Sequence, residues 1–142
     1  MSDIYKGSCL CGAVTFETDQ LDQRAAHCHC RMCRKFHGAE YATFVGVPRQ
    51  SLRWTKGTDA IAEFRAPNGT VRSFCRLCGS SLLFHSPRAS SETIEIALSV
   101  FDTDVPVVPD AHIFVGSAAN WTSITDDLPQ YVEGRDSARA GI

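Results

Sequence analysis

Three cysteines fall within six residues at Cys28, Cys30 and Cys33, in the stretch His27-Cys28-His29-Cys30-Arg31-Met32-Cys33-Arg34-Lys35. Cysteine at this density narrows what the surrounding chain can fold into. The i, i+2 pair lies on one side of an extended segment and the i+3 spacing closes through a turn, so three thiolates can converge on one metal ion. Three ligands leave a tetrahedral zinc one position short, the usual mark of a catalytic site rather than a structural one, and the triplet is the candidate working centre.

Four more cysteines stand in two pairs, Gly7-Ser8-Cys9-Leu10-Cys11-Gly12 and Phe74-Cys75-Arg76-Leu77-Cys78-Gly79. In the second, a tight Cys-x-x-Cys-Gly loop, backbone N–H groups can point at the sulfurs and Gly79 can take a conformation that a Cβ would oppose. The seven cysteines divide naturally as four plus three. Cys9, Cys11, Cys75 and Cys78 make a closed structural four-cysteine set joining the start of the chain to its middle, and Cys28, Cys30 and Cys33 remain open. A rival division pairs Cys75 and Cys78 with two members of the triplet; it splits the one contiguous group and leaves Cys9 and Cys11 without a task.

The rest of the chain is ordinary for a globular protein, with 44% hydrophobic and 21% charged residues and a formal net charge of −2. That balance gives no support for nucleic-acid or anionic-membrane binding, which call for a basic surface. The first residues carry no apolar run of signal-peptide type and no window is long enough to span a bilayer, so a cytoplasmic location is expected, where clustered thiols stay reduced. At 142 residues a single domain over 1–142 is expected, with the polar residues 133–142 as a frayed tail.

Short runs rich in β-branched and aromatic residues recur with almost no helical periodicity. They include Ala13–Glu17, Tyr41–Val47, Ala60–Arg65, Thr70–Phe74, Ser81–His85, Thr93–Val100 and Ala111–Val115. Asn68-Gly69 between two of them favours a hairpin turn, and Ile94, Ile96, Leu98 and Val100 set one apolar face inward. Gly38 is placed to end a short helical piece after the triplet. The pattern reads as all-β, built of antiparallel sheets.

Taken together, the three cysteine groups and the segment from His112-Ile113-Phe114-Val115 through Trp121 to Asp127-Leu128-Pro129 resemble the glutathione-dependent formaldehyde-activating enzyme family, which includes centromere protein V. The resemblance runs over roughly residues 5–131. It implies a β-tent fold, a structural zinc on Cys9, Cys11, Cys75 and Cys78, and a catalytic zinc on Cys28, Cys30 and Cys33. The implied activity is that of a carbon–sulfur lyase forming S-hydroxymethylglutathione, with glutathione or another small thiol and an aldehyde as partners.

Around the triplet, Arg31, Arg34 and Lys35 could offset thiolate charge or receive a glutathione carboxylate; their plainer reading is a solvated cationic face. His29 should face away from the metal if the segment is extended, and His27 could donate to a ligand. His37, His85 and His112 read as surface or hydrogen-bonded residues, and Trp54 and Trp121 as core or core-edge material. Against the enzyme reading stands a zinc-stapled binding module without turnover, its last metal position filled from within and its surface serving a macromolecular partner.

Overall fold

The computed structural model describes residues 3–87 and 91–141. Among these, ten strands and one α-helix follow in order: β1 (Tyr5–Ser8), β2 (Thr15–Thr18), β3 (Ala25–Cys28), α1 (Arg31–His37), β4 (Ala42–Pro48), β5 (Leu52–Lys56), β6 (Ile61–Arg65), β7 (Val71–Cys75), β8 (Ser81–His85), β9 (Thr93–Ala97) and β10 (Pro109–Ile113). The fold is mostly β-sheet with one short helix, and no helix among the described residues is long and apolar enough to cross a membrane. Two compact units divide the chain: residues up to Gln23 with Val45–Val107, and Arg24–Phe44 with Val108 onward.

In the first unit, β1, β2 and β5 form an antiparallel sheet in that order. Phe16 on β2 is buried, with its ring edge-on to Trp54 at 6.0 Å and to Phe101 at 5.4 Å. β6 to β9 form an antiparallel meander, its first hairpin closing at the expected Asn68-Gly69 turn with Arg65 opposite Val71. Inward alternation holds at Ile94 and Ile96, 2% and 1% exposed, but not beyond them. The strand ends at Ala97, and Leu98–Val100 wind into a 3-10 turn, so Leu98 and Val100 do not extend that face.

Cys9, Val14, Ala60, Cys75 and Leu82 pack as one buried cluster in this unit, with Trp54 and Cys78 against it. The cysteines are therefore core residues as well as candidate ligands. Ala60 is held there by a turn whose first residue, Gly57, has φ +81°. A Cβ on Gly57 would lie 1.9 Å from the Ala13 carbonyl oxygen and 3.0 Å from the Val14 Cα. Gly57→Ala is accordingly expected to cost about 3 kcal/mol, from left-handed strain plus overpacking, and to lower the thermal midpoint by roughly 10 °C. A melting curve checks this, and a shift within about 2 °C would show that the neighbouring backbone yields freely.

The second unit departs from the antiparallel expectation. β3 and β10 pair in parallel, with Ala111 opposite Ala26, His112 opposite His27 and Ile113 opposite Cys28. Parallel pairing needs a long crossover, and the chain between the two strands supplies one. Helix α1 is short but well capped. The Cys30 side chain accepts from the Cys33 N–H at its start, left-handed Gly38 returns its N–H to the Arg34 carbonyl at its end, and Arg34, Lys35 and His37 sit in the last turn, where positive charge suits the helix dipole.

Residues 133–141, read from their polarity as a frayed tail, fold back instead. Val132 N donates to Ala138 O, Ala140 N donates to Gln130 O, and Arg135 reaches Asp110 at 2.6 Å and the Ala25 carbonyl at 3.1 Å. Polar composition concealed this because the bonds that order the segment run to backbone and to one ion pair rather than to an apolar core.

Candidate metal centres

The Sγ atoms of Cys9, Cys11, Cys75 and Cys78 lie within 4.8 Å of one another. Cys9 meets Cys11 at 3.6 Å and Cys11 meets Cys75 at 3.9 Å. Four sulfurs on a tetrahedral zinc at its usual bond length would be about 3.8 Å apart, so this donor set fits that ion. Two similar turns bring them together. Gly12 N donates to Cys9 O and Gly79 N to Cys75 O, each glycine at φ near +80° (79° and 81°). Ser80 joins the turns, its Oγ accepting from Leu10 N at 2.7 Å while lying 3.3 Å from Cys78 Sγ.

Sulfurs this close do not ionise alike. The Ser80 hydroxyl and then its backbone draw Cys78 down to about 5. Cys11, although the Ala13 backbone favours its thiolate, is pushed up to about 11 by burial and by the sulfurs of Cys9, Cys78 and Cys75. A cation among them removes that mutual opposition.

Cys28, Cys30 and Cys33 also bring their sulfurs within 4.8 Å of one another, and among the described residues no fourth Cys, His, Asp or Glu joins this group. The four-plus-three division is thus the one the fold assembles, with Cys75 and Cys78 gathered beside Cys9 and Cys11 inside the first unit. The triplet is not extended throughout. Cys28 closes β3, Cys30 caps α1 and Cys33 lies in the helix, with the Cys33 N–H donating to Cys30 Sγ at 3.3 Å. Cys28 and Cys33 are 6% and 2% exposed, while Cys30 is half-buried. The sulfurs of Cys30 and Cys33, and then burial, push the Cys28 thiol far above its ordinary range.

The three cationic side chains near the triplet separate. Arg34 is committed to backbone, donating to His29 O at 3.3 Å and Ser117 O at 2.9 Å, whereas Arg31 and Lys35 are exposed. His27 Nδ1 meets Thr43 Oγ1 at 2.7 Å, and its ring lies against Tyr41 and His112. His29 is fully buried, its Nε2 2.8 Å from His112 Nδ1, and His112 Nε2 is 2.9 Å from Asp126 Oδ2. Burial and then His112 draw His29 down to about 4, and the same two causes lower His27.

His37 packs between Phe36 and Phe44, and His85 pairs with Val71 across a hairpin. Trp54 is core-edge as expected, but Trp121 is 65% exposed. Asp126 carried no sequence signal at all. Tyr41 and Thr43 read only as strand residues, and His112 only as hydrogen-bonded. Their partners stand far away along the chain, and no spacing rule reaches them.

Comparison with known proteins adds three findings. A segment of 80 residues is 25% identical to an uncharacterized lyase of Schizosaccharomyces pombe, covering 56% of each chain, so the match spans about half the length of that curated relative. A crystal structure of a Rhodobacter sphaeroides protein superposes with a TM-score of 0.61 at 26% identity, over 71% of this chain and 91% of that one. Residues 4–117, which include all seven cysteines, match the model of the glutathione-dependent formaldehyde-activating enzyme family. The chain belongs to the glutathione-dependent formaldehyde-activating enzyme family.

Proposed function

We propose that the protein is a zinc-dependent carbon–sulfur lyase that makes and breaks the adduct of a small thiol, such as glutathione, with an aldehyde, formaldehyde being the type case. Cys9, Cys11, Cys75 and Cys78 would hold a structural zinc, and Cys28, Cys30 and Cys33 a second. The observation that carries this reading is the open three-sulfur group of the second unit in a chain of this family. The name of the yeast relative, a lyase, agrees with it.

A zinc bound by the triplet would supply a Lewis acid that favours the thiolate form of an incoming thiol near neutral pH. The remaining work falls to the chain. Buried Cys28 and Cys33 hold their sulfurs in place, and the capped first turn of α1 fixes Cys30 beside them. In the reaction the thiol sulfur bonds to the aldehyde carbon, the carbonyl π bond breaks, and the thiol proton ends on the new hydroxyl. Cleavage reverses each step. Holding both reactants in contact is the main source of acceleration for an addition this easy.

The adduct also forms spontaneously, so the test is a rate above background. Exchange NMR on formaldehyde and glutathione at equilibrium should show interconversion that rises in proportion to protein concentration. A rate equal to the protein-free control, repeated across other aldehyde and thiol pairs, would remove the enzyme reading and leave a zinc-stapled binding module.

A further inference from the structure

The outer edge of β6 is unpartnered among the described residues. In its sheet β6 has one neighbour, β7, and Glu63, Phe64 and Arg65 are all exposed, Phe64 to 57%. Neither Glu63 nor Arg65 enters an ion pair among the described residues.

The backbone decides what that edge offers. At the two ends of the ladder Arg76 N donates to Ala60 O and Ala66 N donates to Thr70 O, each at 2.8 Å. Between them the register runs without a shift from Ile61 opposite Cys75 to Arg65 opposite Val71. Hydrogen-bonded pairs alternate along an antiparallel ladder, so Ala62 and Phe64 turn their N–H and C=O groups toward β7, and Ile61, Glu63 and Arg65 turn theirs outward. Side chains alternate as well, which sets Glu63 and Arg65 on one face of the sheet and Phe64 on the other.

We propose that this edge pairs with the same edge of a second copy of the chain, β6 antiparallel to β6 about a two-fold axis through Phe64. Glu63 of each copy then lies opposite Arg65 of the other.

Parity and charge select this register. Outward backbone groups must face outward backbone groups, which puts the axis on a residue and not between two. An axis at Glu63 sets that carboxylate against itself, and one at Arg65 does the same with the guanidinium; both bring like charges together. An axis at Ile61 or Ala62 leaves Arg65 beyond the end of the facing strand. Only the axis at Phe64 opposes each Glu63 to an Arg65, with two hydrogen bonds exchanged at each such pair. The Phe64 rings then meet at a non-hydrogen-bonded position, where facing Cα atoms come within about 4.5 Å.

Charges on a sheet edge ordinarily keep it unpaired. Here opposite signs two residues apart, with an exposed aromatic between them, make the edge complementary to itself. One short strand from each copy is a small contact, so the dimer is weak and forms as concentration rises. The pairing is independent of the chemistry proposed above.

Sedimentation velocity of the zinc-loaded chain over a concentration series should show monomer passing to dimer below about 1 mM. Over the same series, amide hydrogen exchange read by NMR should slow at Glu63 and Arg65 but not at Ala62 and Phe64, whose N–H groups β7 already holds. Glu63→Arg and Arg65→Glu each place like charges at both symmetry-related pairs, and each should raise the dissociation constant about 10-fold or more. Mixing the two variants should restore association, as should combining both substitutions in one chain, because opposite charges face each other again. A monomer throughout the series overturns the proposal and leaves the edge to a different kind of chain. Protection of Glu63 and Arg65 that ignores concentration means that a segment of the same chain covers the edge, and overturns it as well. A dimer indifferent to either substitution, or single variants that do not rescue each other, puts the contact elsewhere or in another register and overturns the pairing.

Discussion

Cys75→Ser is expected to abolish the cooperative melting of the first unit and to lower the zinc content by one ion per chain. Cys75 is 0% exposed and belongs to the cluster of Cys9, Val14, Ala60 and Leu82, with its sulfur 3.9 Å from that of Cys11. Serine removes a thiolate and buries a hydroxyl that the sulfur-lined site does not satisfy. Structural zinc sites contribute about 10–16 kcal/mol of apparent folding free energy, and a domain's whole stability is about 5–15 kcal/mol. The loss of one ligand in four therefore exceeds what the remaining apolar contacts can offset. Circular dichroism melts and metal analysis on the same sample would decide it. A variant with full zinc content and a wild-type melt would show that the four-sulfur group is packing and not a metal clasp.

The reason this cluster could be read from the sequence, while the histidine row could not, lies in how each is encoded. Cysteine pairs followed by glycine carry their geometry locally. Gly12 and Gly79 take the left-handed angles the turns need, so Cys9, Cys11, Cys75 and Cys78 can be grouped by chemistry alone even though the pairs are far apart. The triplet is equally local, as is the α1 terminus at Gly38. By contrast, His112 meets His29 because β10 lies parallel to β3, and that pairing has no signature in either strand. Asp126 joins through an irregular segment that periodicity does not describe.

The remaining differences share a physical cause. Leu98 and Val100 continue an apolar alternation that the backbone abandons at Ala97, since an apolar residue is satisfied as well by a 3-10 turn packed on a core as by a strand. Trp121 reads as core from its size but lies largely in solvent. Helix α1 is too short to show a helical period, yet its caps suffice to hold it. Local chemistry therefore located the sulfurs, whereas tertiary pairing decides which polar groups surround them.

Cys30→Ser separates chemistry from fold more cleanly than any other change in the triplet. Cys30 is the N-cap of α1, and its sulfur accepts the Cys33 N–H at 3.3 Å. Serine is among the best N-cap residues, so its hydroxyl can take over that bond and the helix should persist. Cys28 and Cys33 are nearly fully buried, and serine there would add an unsatisfied hydroxyl to the loss of a thiolate. The expected result for Cys30→Ser is interconversion of formaldehyde and glutathione adduct at the protein-free rate, a thermal midpoint within a few degrees of wild type, and retention of the zinc held by the other cluster. Cys30→Ala should be equally inactive but less stable than Cys30→Ser by about 1 kcal/mol, the usual worth of the cap. Exchange NMR, melting curves and metal analysis on both variants give the three readouts together. Wild-type interconversion in Cys30→Ser would remove the triplet from the reaction, because the substitution takes away one sulfur ligand while keeping the turn that positions the other two.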